Sequence, residues 1–234
     1  DDTGDLSLKI TSNDLDYLDA LSLFPNFSYT KLTKSWLQNS ISCGSFQEVS
    51  FIYRGPIDNK YIDSSSSFQS KGLIKNTCLN VNDVGITKIN LVANINNSSF
   101  IGKVVDGDLY GSAIKGTVKT FKDNNDYKIE LKGNSEGPLS SILSLANLNL
   151  IFDAEEESGE QYTNFYFTSP LSSNLGLLGK NSNLELSSKI KGGNFSNKKT
   201  KLYFSDLYSL IEYDSTNGVK DSFATIKIND LPLQ

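Results

Sequence analysis

The sequence predicts a mainly β protein built from consecutive antiparallel strands. Three observations carry that reading. Apolar residues alternate with polar ones over most of the chain; 13 Phe and 11 Tyr supply side chains that suit a pleated surface; and serine and asparagine crowd the places where such a chain turns.

The elements follow in order. LSLKI places Leu6, Leu8 and Ile10 on one face of a first strand. DLDYLDALSLF spaces Leu15, Leu18 and Leu21 by three, and SYTKLTKSWLQNSI spaces Leu32, Trp36 and Ile41 at roughly helical intervals, so short helices are expected near 14–41, with Trp36 as apolar packing volume and Gly44 as a helix-terminating glycine. SFQEVSFIYRG resumes alternation, and from about residue 66 the pattern is strand and turn: Ile89, Leu91, Ala93 and Ile95, then NNSS, FIGKVV, DGD, AIKGTVKTF, KDNND and YKIEL. A second short helix is expected near 138–148 after Gly137-Pro138, then a loop at Glu155-Glu156-Glu157 and further strands at YTNFYF, NLELSSKI, KLYF, LIEY and FATIKI.

One pattern, a glycine followed two residues later by an apolar residue and four later by asparagine, occurs twice: GLIKN at Gly72 and GNFSN at Gly193, about 120 residues apart, each followed by a strand-like run that ends at Asp83 or Asp206. The spacing far exceeds a solenoid period of roughly 20 to 50 residues, but it suits modules of several strands each. The expectation is one segment over 1–234 with two degenerate repeat units, roughly 44–133 and 161–234.

Composition narrows the chemistry. The 22 basic and 27 acidic residues give a net charge of −5 and are scattered through the sequence, offering no basic stripe for nucleic acid and no polybasic cluster for anionic lipid headgroups, so no nucleic-acid partner is expected. Histidine is absent, which removes the commonest general base and the usual zinc ligand. Methionine is absent too, and the chain opens on DDTGDLSLKI; it reads as a piece of a longer polypeptide whose anchor or export signal lies elsewhere. Cys43 and Cys78 fit either one disulfide in an oxidising compartment or two buried thiols.

The motifs that formally match chemistry lack its context. GNSEG at Gly133–Gly137 has the G-x-S-x-G spacing of a nucleophile elbow, but no histidine exists to activate Ser135, which reads as a turn cap. Asp14, Asp16 and Asp19 read as a helix start, Asp106 and Asp108 as flanks of a turn glycine, and Asp123 and Asp126 as the ends of a hairpin loop, so none is assigned as a glycosidase pair. DGDLYG is too short for a calcium loop. No catalytic residue, metal site or cofactor is expected.

What remains is an apolar face: Val49, Phe51 and Tyr53; Ile89, Leu91, Ala93 and Ile95; Ile114 and Val118; Ile129 and Leu131; Phe165 and Phe167; Leu184 and Leu186; Leu202 and Phe204; Ile226 and Ile228. Something must cover it. A second sheet, closure into a barrel, or an open trough filled by a ligand all satisfy the pattern.

Several phrases resemble a known family. Trp36-Leu37, Gly44, Arg54-Gly55, Gly72, the small-residue pair Gly107 and Gly111, Pro170-Leu171 and Leu231-Pro232 occur in an order similar to that of the AsmA-like, YhdP-type β-groove envelope proteins of Gram-negative bacteria. The Asp83-Val84-Gly85 turn departs from that pattern, where tryptophan and proline are expected. The resemblance implies an elongated, strongly curved antiparallel sheet forming an open hydrophobic groove. It further implies that the groove, lined by the apolar face from Val49 to Ile228 set out above, binds phospholipid acyl chains and conducts them between inner and outer membrane. The same resemblance implies a periplasmic location, with anchoring through an inner-membrane helix outside this segment. The runner-up is a closed sandwich or solenoid of a surface or adhesion protein, without a ligand.

Overall fold

The computed structural model describes residues 5–22, 35, 38–56, 66–81, 84–123, 126–145, 152–170, 182–197, 199–229 and 231–233. Its strands are β1 (Asp5–Asp16), β2 (Ile41–Pro56), β3 (Ser67–Val81), β4 (Val84–Asn96), β5 (Phe100–Leu109), β6 (Ser112–Asp123), β7 (Asp126–Pro138), β8 (Phe152–Pro170), β9 (Asn183–Asn197), β10 (Tyr203–Asp214), β11 (Gly218–Val219), β12 (Phe223–Ile228) and β13 (Leu231–Leu233). Two short helices are described, α1 (Tyr17–Ser22) and α2 (Leu139–Leu145).

The strands form one open antiparallel sheet in sequence order, with β11 paired off the path to β10. Neither the second sheet of a sandwich nor the closure of a barrel is found among the described residues. Consecutive pairing is what short turns between antiparallel strands permit, since no crossover is needed. Contacts divide the chain into two compact units: Asp1–Gly107 with Gly116–Leu131 and Thr168–Ser182, and Asp108–Lys115 with Lys132–Phe167 and Asn183–Gln234.

In the first unit the alternation buries one face. Phe51 and Phe68 meet with ring centroids 4.9 Å apart, and Ile74, Phe100 and Ile129 are almost wholly enclosed. Gly102 is required there, because a Cβ would lie 2.7 Å from Leu91 and 2.8 Å from Val118. Cys43 and Cys78 stand opposite each other on β2 and β3 and are joined by a disulfide, with Cα atoms 5.0 Å apart. In the second unit, Leu139 and Leu143, one turn apart on α2, cover Ile190 and Phe195; Phe204, Leu207 and Ile226 pack against the same cluster. Phe195 and Phe204 stack at 4.9 Å.

Several local expectations are corrected. β1 continues to Asp16, so Asp14 lies in a strand; the Asp16 carboxylate caps α1 by accepting from Leu18 N–H at 2.8 Å. Gly44 lies inside β2, not at a helix end. Its φ of +131° and its closeness to Thr77, whose Oγ1 would be 2.7 Å from a Cβ, explain the glycine. Asp106 and Asp108 belong to β5, and the turn falls at Tyr110-Gly111, where Asp108 Oδ1 accepts from Gly111 N–H. Glu155–Glu157 lie within β8, and Ser135 lies within β7. Trp36, Leu32 and Asp83 fall outside the described residues.

Both phrases lie within strands, GLIKN inside β3 and GNFSN at the end of β9. A different device is repeated. In the first unit Asn76, at φ +51° in a bulge of β3, donates its N–H to Asn90 Oδ1, and Asn90 Nδ2 donates to Asp106 Oδ2. In the second unit Asp206, at φ +53° in a bulge of β10, donates its N–H to Asn194 Oδ1, and Asn194 Nδ2 donates to Ser158 Oγ. A bulge frees a backbone N–H from the ladder, and an asparagine one strand away satisfies it while bonding onward to the next strand.

Candidate functional site

The apolar residues read from the sequence share the covered face, but they differ in how completely the protein covers them. In the first unit Val49, Phe51, Tyr53, Ile89, Ala93, Ile95, Val118 and Ile129 are buried, with Leu91 and Leu131 half-buried. Register explains the common face: Tyr53 stands opposite Phe68, Phe51 opposite Ser70, and Ala93 opposite Gly72. Here the side chains of the sheet cover one another.

In the second unit only Ile114 and Phe167 of the predicted set are buried; Phe165, Leu184, Leu186, Leu202, Phe204, Ile226 and Ile228 are half-buried. Phe204 and Ile226 lie under α2. Leu186 faces Tyr213 across β9 and β10, and beside them Ile211 is 38% exposed. Leu184, Leu186, Ile211 and Tyr213 therefore form an apolar patch that the protein's own atoms leave partly open.

Other members of the face were not found from the sequence. Phe68 and Ile74 alternate through Ser70 and Gly72, whose small side chains break the apolar signal. Phe100 opens a strand directly after NNSS, where a turn reading ends.

A polar row also interrupts the covered face of the second unit. Gln161, 2% exposed, donates from Nε2 to Ser112 Oγ and to Ser135 Oγ, each at 2.9 Å. Its Oε1 accepts from Thr163 Oγ at 2.7 Å, and Thr163 shares a hydrogen bond with Ser188 Oγ. Ser135 of the GNSEG phrase is thus an acceptor in a buried network rather than a turn cap, and satisfied hydrogen bonds are what allow these groups to be buried.

A cleft of about 320 Å³ in the same unit is lined by Lys132, Asn164, Tyr166, Glu185, Glu212, Asp214 and Lys220, among others. Its acids were not among those weighed from the sequence, because NLELSSKI and LIEY read only as strands and Asp214 follows directly on the second. Each is engaged locally: Glu212 accepts from Ser187 Oγ, Glu185 from Asn183 Nδ2, and Asp214 from Lys220 Nζ. The Lys220 hydrogen bond, helped by the backbone N–H groups of Thr216 and Asn217, lowers the Asp214 pKa to about 2.

Because that pKa is depressed on folding, its contribution to stability is complete above the ordinary carboxylate value of 3.8 and is lost as pH falls through about 2. An NMR titration of the Asp214 carboxyl carbon is expected to show a midpoint well below an ordinary aspartate, and Lys220→Ala is expected to move it upward. An ordinary midpoint in the unsubstituted protein would refute the ion pair.

No family model, curated protein or solved structure matches the chain. Among the described residues, no helix is long and apolar enough to cross a membrane, and no cluster of His, Cys, Asp or Glu is arranged to hold a metal ion.

Proposed function

We propose that this chain is a non-enzymatic lipid-binding segment of a cell-envelope protein, receiving phospholipid acyl chains on the covered face of its sheet. The observation that carries the reading is the partly open apolar patch of Leu184, Leu186, Ile211 and Tyr213 in an open sheet whose strands are apolar on one side. Moving about thirty methylenes through water costs over ~20 kcal/mol at roughly 0.8 kcal/mol each, so a protein that shields even part of a lipid tail lowers a large barrier. Such a role needs no histidine, metal or cofactor. The sequence resemblance to AsmA-like proteins supports a periplasmic setting and movement of phospholipid between inner and outer membrane.

A second reading has its own support. The first unit buries its apolar face with its own side chains, as expected of a ligand-free structural domain in a surface or adhesion protein.

Organic extraction of the purified chain followed by mass spectrometry distinguishes the two. Phospholipid is expected to co-purify, and a fluorescent phospholipid is expected to transfer from vesicles to the protein, with transfer strongly reduced in Leu186→Asp and Ile211→Asp. Lipid-free protein that takes up no fluorescent lipid would establish the ligand-free reading instead.

A further inference from the structure

The lysines and arginine of the first unit are scattered in the sequence, but strand alternation sorts them. On β2, Phe51, Tyr53 and Gly55 are buried, so Ile52 and Arg54 belong to the opposite face. On β3, Phe68, Ser70 and Ile74 are buried, and Gln69, Lys71 and Leu73 belong to that opposite face. On β5, Phe100 and Gly102 are buried while Ile101, Lys103 and Val105 are exposed. Register places Lys9 beside Ile52 and Lys71 beside Ser50 and Asn94, with Leu73 beside Val92.

This face therefore presents Lys9, Arg54, Lys71 and Lys103 across four of five consecutive strands, none in an ion pair with an acid among the described residues. Of the acids, Asp14, Asp16 and Glu48 lie further along β1 and β2, Asp5 begins β1 opposite Pro56 at the edge of the face, and Asp106 of β5 is already bonded to Asn90. The cations are interleaved with aliphatic groups: Ile101 is 52% and Val105 47% exposed. The second unit differs, because exposed Lys132, Lys189 and Lys191 are interspersed there with exposed Glu136, Glu160 and Glu185.

We infer that this face of β1–β5 is a docking surface for an anionic lipid bilayer. Basic side chains meet phosphate headgroups, and exposed aliphatic groups enter the boundary between headgroup and acyl chain. Nucleic acid is the less suitable polyanion, because bases stack on aromatic side chains and the interleaving residues here are aliphatic. The inference stands apart from acyl-chain binding on the covered face, since a protein that carries no lipid can still dock.

The test is co-sedimentation of the full chain with phosphatidylcholine vesicles, with and without phosphatidylglycerol. Binding is expected only with the anionic lipid and is expected to weaken as salt shortens the screening length. Each basic side chain is expected to contribute roughly fivefold, so Lys71→Gln with Lys103→Gln weakens partitioning roughly 25-fold. Lys9→Gln with Arg54→Gln repeats the test should the first pair fail to fold, and Lys189→Gln with Lys191→Gln in the second unit leaves binding unchanged. Ile101→Ser is expected to remove the part of binding that survives high salt. Equal binding to both vesicle types, no binding to either, loss caused equally by the second-unit pair, or preference for single-stranded DNA over anionic vesicles would each overturn the proposal.

Discussion

Gly159→Ala is expected to destabilise the second unit by about 2–5 kcal/mol, seen as a lower urea midpoint. Gly159 lies in β8 at φ +115°, a region that side-chain-bearing residues rarely adopt. A Cβ there would sit 2.6 Å from Gly193 Cα and 2.8 Å from Gly193 N, and backbone atoms have no rotamer with which to retreat. Nor can β9 move away freely. Any Cβ on Gly193 would itself meet Leu139 of α2 at 2.8 Å and Leu207 of β10 at 3.0 Å, so this stretch of β9 is held between β8 and the helix. A loss of that size is a large share of the roughly 5–15 kcal/mol that a domain retains. Gly85→Ala, where nothing lies within 4 Å of the added carbon, is the control and is expected to leave the midpoint nearly unchanged. Equal midpoints for the two variants would show that the close approach of Gly159 and Gly193 is not a constraint.

The second large effect is expected from the disulfide. Cys43 and Cys78 close a loop with a sequence separation of 35, and a cross-link of that span removes enough freedom from the unfolded chain to stabilise by about 4 kcal/mol. The bond joins β2 and β3 where their register shifts on both sides of Cys43 and where Thr77 lies against Gly44. It therefore holds the two strands together at a point where the ladder hydrogen bonds are interrupted. Cys43→Ser with Cys78→Ser, or reduction of the unsubstituted protein, is expected to lower the midpoint by an amount corresponding to that figure. An unchanged midpoint after verified reduction would mean that the cross-link adds nothing to the strand pairing.

Much of the architecture was legible because a strand writes itself into sequence with a period of two, independent of what covers it. Phe51-Ile52-Tyr53 and Ile89 to Ile95 show their buried faces directly, and the polar turns between runs imply antiparallel neighbours. Turn positions were less legible. DGD and the glutamate triplet have turn-like composition, yet both lie within strands, because pairing with neighbours outweighs local preference. The candidate face was legible as a list of apolar residues but not in its openness. Burial depends on side chains from other elements, as when Phe68 of β3 meets Phe51 of β2 or Leu139 of α2 covers Ile190 of β9.

Taken alone, the sequence determined the strand class, the apolar side of the strands whose alternation is unbroken and the lack of histidine-based chemistry, because these follow from residue type and local spacing. Tertiary structure alone decided that the strands form a single open sheet, that Cys43 pairs with Cys78, that Gln161 unites three strands in a buried network, and that scattered lysines gather on one face. Each of those outcomes depends on register between residues far apart in the chain, and a shift of one residue would send every side chain of a strand to the other face.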